Sequence, residues 1–196
     1  MDRSVLLEYI ERIGSLLRAE QRADAGVFGL QAVHVDALRY LERCNRYSNT
    51  PAALAAYLRS TKGTVSQTLK LLERAGYLNK TGDPSDGRVV HLLLTAKGRK
   101  ILKKLAVPAR WSHSLERVEE GRYEEAARTL NSLLQHAQLS NGYRTFGACH
   151  SCRHLIGTKG GGYRCGLTGE ALSPADTARI CYEHEPAPHG LTPAEG

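Results

Sequence analysis

The chain has 196 residues, 41% of them hydrophobic, with 27 Lys plus Arg against 20 Asp plus Glu and a net charge of +7. This composition can bury enough surface to offset chain entropy, which excludes global disorder, and the length allows one domain with an appendage or two small ones. No apolar run approaches the ~20 residues of a bilayer span, and Met1-Asp2-Arg3 is not the basic-then-apolar start of a leader, so a cytoplasmic protein without a membrane partner is expected.

Residues 2–22 place Val5, Leu6, Tyr9, Ile10, Ile13, Leu16 and Leu17 at three- and four-residue steps, an amphipathic helix that should stop near Gly26. A second helix carries Val33, Val35, Leu38, Leu41 and Cys44 and ends in the turn-like run Asn45 to Asn49. Thr50 suits an N-cap with Pro51 as the first helical residue of a third helix through Leu58. A fourth helix, about Thr64–Ala75, has the apolar stripe Val65, Leu69 and Leu72 and stops at Gly76. Two β-prone stretches, Tyr77–Thr81 and Arg88–Leu94, flank a long hairpin loop. Thr95 then opens a helix through Leu105, bent near Pro108 and continuing towards Val118. Gly121 is expected to separate it from a last amphipathic helix, about Tyr123–Gln138.

The predicted fold is mainly α with a two-stranded β-wing: a winged helix-turn-helix, a helical dimerisation region and a small metal-stabilised tail. Residues 36–104 hold 14 basic and 5 acidic groups, a net +9, whereas the rest of the chain sums to −2. A basic field confined to one segment suits a phosphate backbone, although a solvated helix surface has the same charge signature.

Thr50–Leu58, Thr61–Leu78, the run Asp83-Pro84-Ser85-Asp86-Gly87-Arg88 and then Leu94-Thr95-Ala96-Lys97-Gly98 resemble the successive signature blocks of the MarR family of bacterial transcription regulators. The resemblance covers roughly residues 1–138 and implies a non-enzymatic regulator that binds double-stranded DNA as a homodimer. On the fourth helix, Lys62, Thr64, Ser66, Gln67 and Lys70 lie off the apolar stripe, and Thr61 can cap it, so the free N–H groups of the first turn can meet a phosphate. Gln67 suits a bidentate contact to adenine, and Lys70 a guanine or a phosphate. The resemblance further implies that Arg88 enters the minor groove while Asp86 orients its guanidinium. One recognition helix reads only a few base pairs, so two copies spaced by about one duplex turn, ~34 Å, are expected on a pseudo-palindrome. The apolar stripes of the first and last helices are the expected dimer surface, or else the completion of a monomeric core. The family's small-molecule effectors bind between the dimerisation helices and the winged domain, but no residue here names one.

Past Gln138 the composition changes, dividing the chain into 1–139, a cysteine-rich segment 140–184 and an expected flexible end 185–196. Four of the five cysteines, Cys149, Cys152, Cys165 and Cys181, fall in this tail, which departs from the family pattern. Cys-x-x-Cys is a chelating turn, and two further thiolates complete a tetrahedral set. Structural Zn2+ is the first expectation, an iron–sulfur cluster acting as a redox sensor the second, and disulfides or free thiols the third. His150, His154 and His184 are reserve ligands, with a Cys3His set through His184 as a variant. Cys44, alone on an apolar helix face, is expected to be a packing thiol. The competing functions are a metal-dependent protein-interaction module and a redox or electron-transfer protein.

Overall fold

The computed structural model describes residues 3–105 and 109–187. Helices α1 (Arg3–Val27), α2 (Ala32–Arg43), α3 (Pro51–Leu58) and α4 (Lys62–Arg74) lead into a hairpin of β1 (Leu78–Gly82) and β2 (Val90–Leu94), followed by α5 (Ala96–Lys104), α6 (Ala109–Glu116) and α7 (Glu120–Ser140). The predicted bend at Pro108 lies outside the described residues. Gly121 does not separate two helices. It sits in the first turn of α7, one residue after its start at Glu120.

The core is built where α2, α3, α4 and the hairpin meet. Leu38, Leu54, Leu72 and Leu78 are fully enclosed and Leu92 nearly so. Thr50 caps α3 by accepting from Ala53 N–H at 3.2 Å, and Pro51 takes the position where a missing N–H leaves no partner unsatisfied. Helix α3 ends at Arg59 in the left-handed region, φ 49°, an unusual conformation for a residue with a β-carbon, and its guanidinium lies 3.9 Å from the centre of the Tyr143 ring. The hairpin is antiparallel, with Leu78 opposite Leu94 and Gly82 opposite Val90. Its base is clamped to α5: Thr95 N–H donates to the Tyr77 carbonyl and the Thr95 hydroxyl to the Gly76 carbonyl. A β-carbon at residue 98 would stand 2.1 Å from that Tyr77 oxygen, so the glycine of the Leu-Thr-x-x-Gly run is required by close approach.

The tail has more order than its sequence suggests. After a 3-10 turn at Cys149–Ser151 come β3 (Leu155–Thr158), β4 (Gly162–Cys165) and β5 (Ala171–Leu172), forming an antiparallel sheet in that order, then the one-turn helix α8 (Pro174–Thr177). Strands of two to four residues are too short to display a period of two, so they read as loops. Ile180 inserts beside the winged segment: its N–H donates to the Arg43 carbonyl at 2.9 Å, and its carbonyl accepts from Asn45 N–H at 2.8 Å. Tyr182 N–H donates to the Ser48 hydroxyl at 2.7 Å, and Arg46 pairs with Glu170. Phe146 packs edge-on against Tyr57, ring centres 5.2 Å apart, and also meets Tyr40 and Tyr182. Residues 185–187, expected to be flexible, pair back onto the Cys-x-x-Cys turn: Arg153 N–H donates to the Glu185 carbonyl and Ala187 N–H to the Ser151 carbonyl. Residues 188–196 lie outside the described part.

Candidate nucleic-acid interface

Helix α4 divides its side chains as a groove-reading helix must. Val65, Thr68, Leu69 and Leu72 are buried, whereas Lys62, Thr64, Ser66, Gln67 and Lys70 are all exposed. Thr61 accepts from Thr64 N–H at 3.2 Å, and the two threonine hydroxyls lie 3.0 Å apart, so the first turn is capped and still faces solvent. The helix begins two residues earlier than the sequence pattern suggests, which places Lys62 inside its first turn.

The wing loop is organised by two carboxylates. One Asp83 oxygen accepts from Ser85 N–H at 2.7 Å, from the Ser85 hydroxyl at 2.6 Å and from Asp86 N–H at 2.9 Å. Those bonds, together with His91, hold the Asp83 carboxyl well below its ordinary range. Backbone bonds from Asp83 N–H to the Val89 carbonyl and from Val89 N–H to the Asp86 carbonyl close the turn, so β2 starts at Val90 rather than Arg88. Asp86 grips Arg88 in a fork: the Arg88 Nε and Nη2 each stand 3.0 Å from one carboxylate oxygen. The hydrogen bond to Arg88 is the main cause of the lowered Asp86 pKa. Yet the Arg88 side chain is 91% exposed. The sequence-predicted DNA residues thus fall on two solvent-facing features, the start of α4 and the tip of the wing.

Residues that the sequence reading passed over support the wing from behind. Asn49, read only as part of a turn, accepts from Leu92 N–H through its carbonyl at 2.7 Å, and its side-chain oxygen meets His91 Nδ1 at 2.6 Å. His91 Nε2 lies 2.8 Å from Asp83. No local pattern marks this triad, because it joins positions 42 residues apart.

The tail cysteines gather unequally. Cys149 is buried at the start of the 3-10 turn with Asn45 Nδ2 3.9 Å from its sulfur, and Cys152 follows on the same turn, while Cys181 N–H donates to the Gly147 carbonyl at 3.0 Å. Cys165 lies on β4 opposite Leu155. Among the described residues, no three His, Cys, Asp or Glu side chains converge closely enough to hold a metal ion, so the four thiols expected as one set do not stand as one. Two of the reserve histidines, His184 and His150, have other hydrogen bonds. His184 is buried between the Thr145 and Ser151 hydroxyls, one on each ring nitrogen, and its ring passes so close to residue 147 that a β-carbon there would meet it at 2.4 Å. His150 Nδ1 meets the Thr177 carbonyl, and His154 sits beside Glu185. Cys44 is a packing thiol as expected, with burial pushing its pKa up to about 12.

A cavity of about 1220 Å³ lies between α2, α3, α7 and the start of the tail, lined by Arg39, Arg43, Arg59, Lys62 and Arg144, with Asp36 the one carboxylate among the described lining residues. Apolar side chains on the outer helices remain uncovered in the single chain: Leu6, Leu7, Tyr9, Ile13 and Leu16 on α1, and Tyr123, Leu130, Leu134 and Leu139 on α7, which buries no residue at all. Among the described residues, no helix is long and apolar enough to cross a membrane.

Residues 30–98 match the family model of a winged helix DNA-binding domain. The HTH-type transcriptional repressor Rv2887 of Mycobacterium tuberculosis is 30% identical over 124 residues, covering 62% of this chain and 88% of that protein. The transcriptional repressor MprA of Escherichia coli is 30% identical over 104 residues, covering 50% of this chain, and the chain spans only 58% of that repressor's length. Among solved structures, Streptococcus pneumoniae FabT in complex with DNA is 27% identical, with a TM-score of 0.55 over 69% of this chain and 97% of that one. The Mycobacterium tuberculosis MarR family protein Rv2887, in complex with salicylic acid, is 29% identical, with a TM-score of 0.50 over 68% of this chain and 96% of that one.

Proposed function

This chain belongs to the MarR family of winged helix transcription regulators, and from that premise we propose that it is a sequence-specific DNA-binding repressor acting as a homodimer. Helix α4 lies in the major groove, with Gln67 and Lys70 facing base edges and the Thr61 to Thr64 turn facing a phosphate. Arg88 enters the adjacent minor groove, where the negative potential is concentrated. The observation that carries this reading is the Asp86–Arg88 fork. An ion pair so exposed contributes little to folding, yet it fixes a guanidinium outward at the tip of a tightly bonded turn. Arg88→Ala should weaken binding to a duplex selected by the wild-type protein from a random pool by about 10- to 100-fold, with the melting temperature unchanged. Wild-type affinity in a gel-shift titration would remove the assignment.

The uncovered faces of α1 and α7 support the homodimer, because apolar area of that extent is normally an interface. Sedimentation should give twice the chain mass of 21.5 kDa. The basic cavity, with Tyr57, Tyr143 and Phe146 among its lining residues, favours a small aromatic anion as effector.

For the tail, a second reading is a thiolate site for Zn2+ or an iron–sulfur cluster over Cys149, Cys152, Cys165 and Cys181. It is supported by the ligand spacing and by a thin apolar core, in which Leu155, Leu172 and Ile180 are the buried aliphatic residues. It requires the four sulfurs to close on one point. Metal analysis of freshly purified protein tests it, with one equivalent per chain expected.

A further inference from the structure

The wing is a two-stranded ribbon, and a ribbon of two strands has little stiffness of its own. Its loop is ordered from within. One Asp83 oxygen accepts from Ser85 and Asp86 N–H, Asp86 Oδ1 accepts from Arg88 N–H at 3.0 Å, and the Val89 bonds close the turn, all inside residues 83–89. Such bonds fix the shape of the tip without fixing where the tip points. For Arg88 to meet one groove while α4 meets the next, that aim has to be set from the body of the winged segment.

His91 supplies the connection. It stands in β2 opposite Thr81, with its side chain 22% exposed. Asp83 has two oxygens, and His91 Nε2 takes the one that the turn leaves, at 2.8 Å. A carboxylate only accepts, so the Nε2–H donates. The other ring nitrogen lies 2.6 Å from the Asn49 side chain. An amide presents a carbonyl or, turned over, an NH2, so it satisfies Nδ1 with or without a proton there. Asn49 is itself buried and stands immediately before Thr50, the cap of α3, and its carbonyl holds Leu92 N–H at 2.7 Å. One imidazole therefore spans from the start of the helix-turn-helix to the carboxylate that shapes the wing tip. On the neighbouring strand Lys80 donates to Glu73 of α4 at 2.6 Å, but both side chains are partly exposed, and such a pair is weak.

We propose that His91 is a positioning residue for DNA binding: its ring ties Asp83, and through the Asp83 turn Arg88, to Asn49, so that the wing tip and α4 keep one spacing across adjacent grooves. This rests on the DNA-binding reading. Without the ring the turn keeps its internal bonds and the Asp86–Arg88 fork, but the tip is loose in the free protein and must be ordered each time it binds. Ordering one or two such side chains corresponds to a loss of about 3- to 10-fold in affinity.

The test is a double-mutant cycle on the full chain, using the duplex selected by the wild-type protein and gel-shift titrations at a temperature where melting curves show every variant folded. His91→Ala should weaken binding by about 3- to 10-fold when Arg88 is present and by less than about twofold in the Arg88→Ala background, because the ring acts through that arginine. Hydroxyl-radical protection of the minor groove flanking the site should fade in His91→Ala, while protection of guanine N7 in the major groove, under α4, persists. His91→Gln retains a donor for Asp83 but not the reach to Asn49, so it should follow His91→Ala, and it serves in its place if the alanine variant is unstable. Wild-type affinity in both His91 variants, equal weakening with and without Arg88, or a uniform loss of both footprints would overturn the proposal. A wild-type protein that selects no duplex, or an Arg88→Ala variant that binds as tightly as wild type, would instead fail the DNA-binding reading, and the proposal falls with it.

Discussion

The winged segment and the tail are held by different physics. The winged segment closes around large aliphatic side chains from three helices and a strand, with Leu38, Leu54, Leu72 and Leu78 fully enclosed. The tail, comparable to a small independent module in length, buries few aliphatic residues and instead borrows partners: Ile180 is bracketed by Arg43 and Asn45, Tyr182 bonds Ser48, and Phe146 packs against Tyr40 and Tyr57. One region builds the core, and the other is grafted onto it through Ile180, with Phe146 and Tyr182 packed alongside. A segment with too little apolar surface to fold by itself becomes ordered by completing the hydrogen bonds of a neighbour's turn.

That contrast is open to direct attack. The largest effect is expected from Leu54→Ala, which empties a site with no exposed surface and should cost about 2–5 kcal/mol in urea or thermal unfolding. Ile180→Ala, at the seam where the tail joins the core cluster, should cost about 2 kcal/mol, the low end of that range, because its backbone bonds survive. Equal losses for the two variants would mean that the tail's side of this core carries as much of the stability as the winged side. The smallest effect concerns His34, whose pKa is lowered by burial and whose Nδ1 accepts from Gln31 N–H at 3.0 Å. Its folded pKa lies below its ordinary 6.5, so its contribution is intact above pH 6.5 and declines as the pH falls towards the folded value, where the unfolded chain binds the proton first. Melting temperatures from pH 7.5 to 5 should therefore fall less steeply in His34→Gln than in the wild type. An identical slope would mean that protonation of His34 does not limit the winged segment.

Much of the winged segment was legible in the sequence because each of its elements announces itself locally. Thr50-Pro51 and Thr61 are caps, Gly76 a stop, and Val65, Leu69 and Leu72 a stripe. Even the exposed set on α4 follows from removing that stripe. Asp86 and Arg88 were found through resemblance, and their fork is a contact between near neighbours. The tail was less legible. Its strands are too brief for periodicity, and its order depends on Arg43, Asn45 and Ser48, more than 130 residues away in the chain. The spacing of four cysteines suggests one cluster, whereas among the described residues the fold brings no three of them together and leaves Cys165 on a separate strand. Spacing limits which thiols can meet; the docking of Ile180 decides which do.

The long reach of that docking also orders events in time. The hydrogen bonds from Arg179 to the Glu42 carbonyl and from Tyr182 N–H to Ser48 join residues 137 and 134 positions apart, whereas α2 to α5 contact one another within a much shorter span of chain. Closing the larger loop carries the greater entropy cost, and synthesis runs from the amino terminus. On the ribosome, the turn from Cys44 to Asn49 is made, and the winged segment can close around it, well before the segment around Ile180 that braces it exists. A nascent chain thus holds a closed winged segment before the segment that braces it, and translation that stops short of Ile180 would release it without the Ile180 and Tyr182 bonds to that turn.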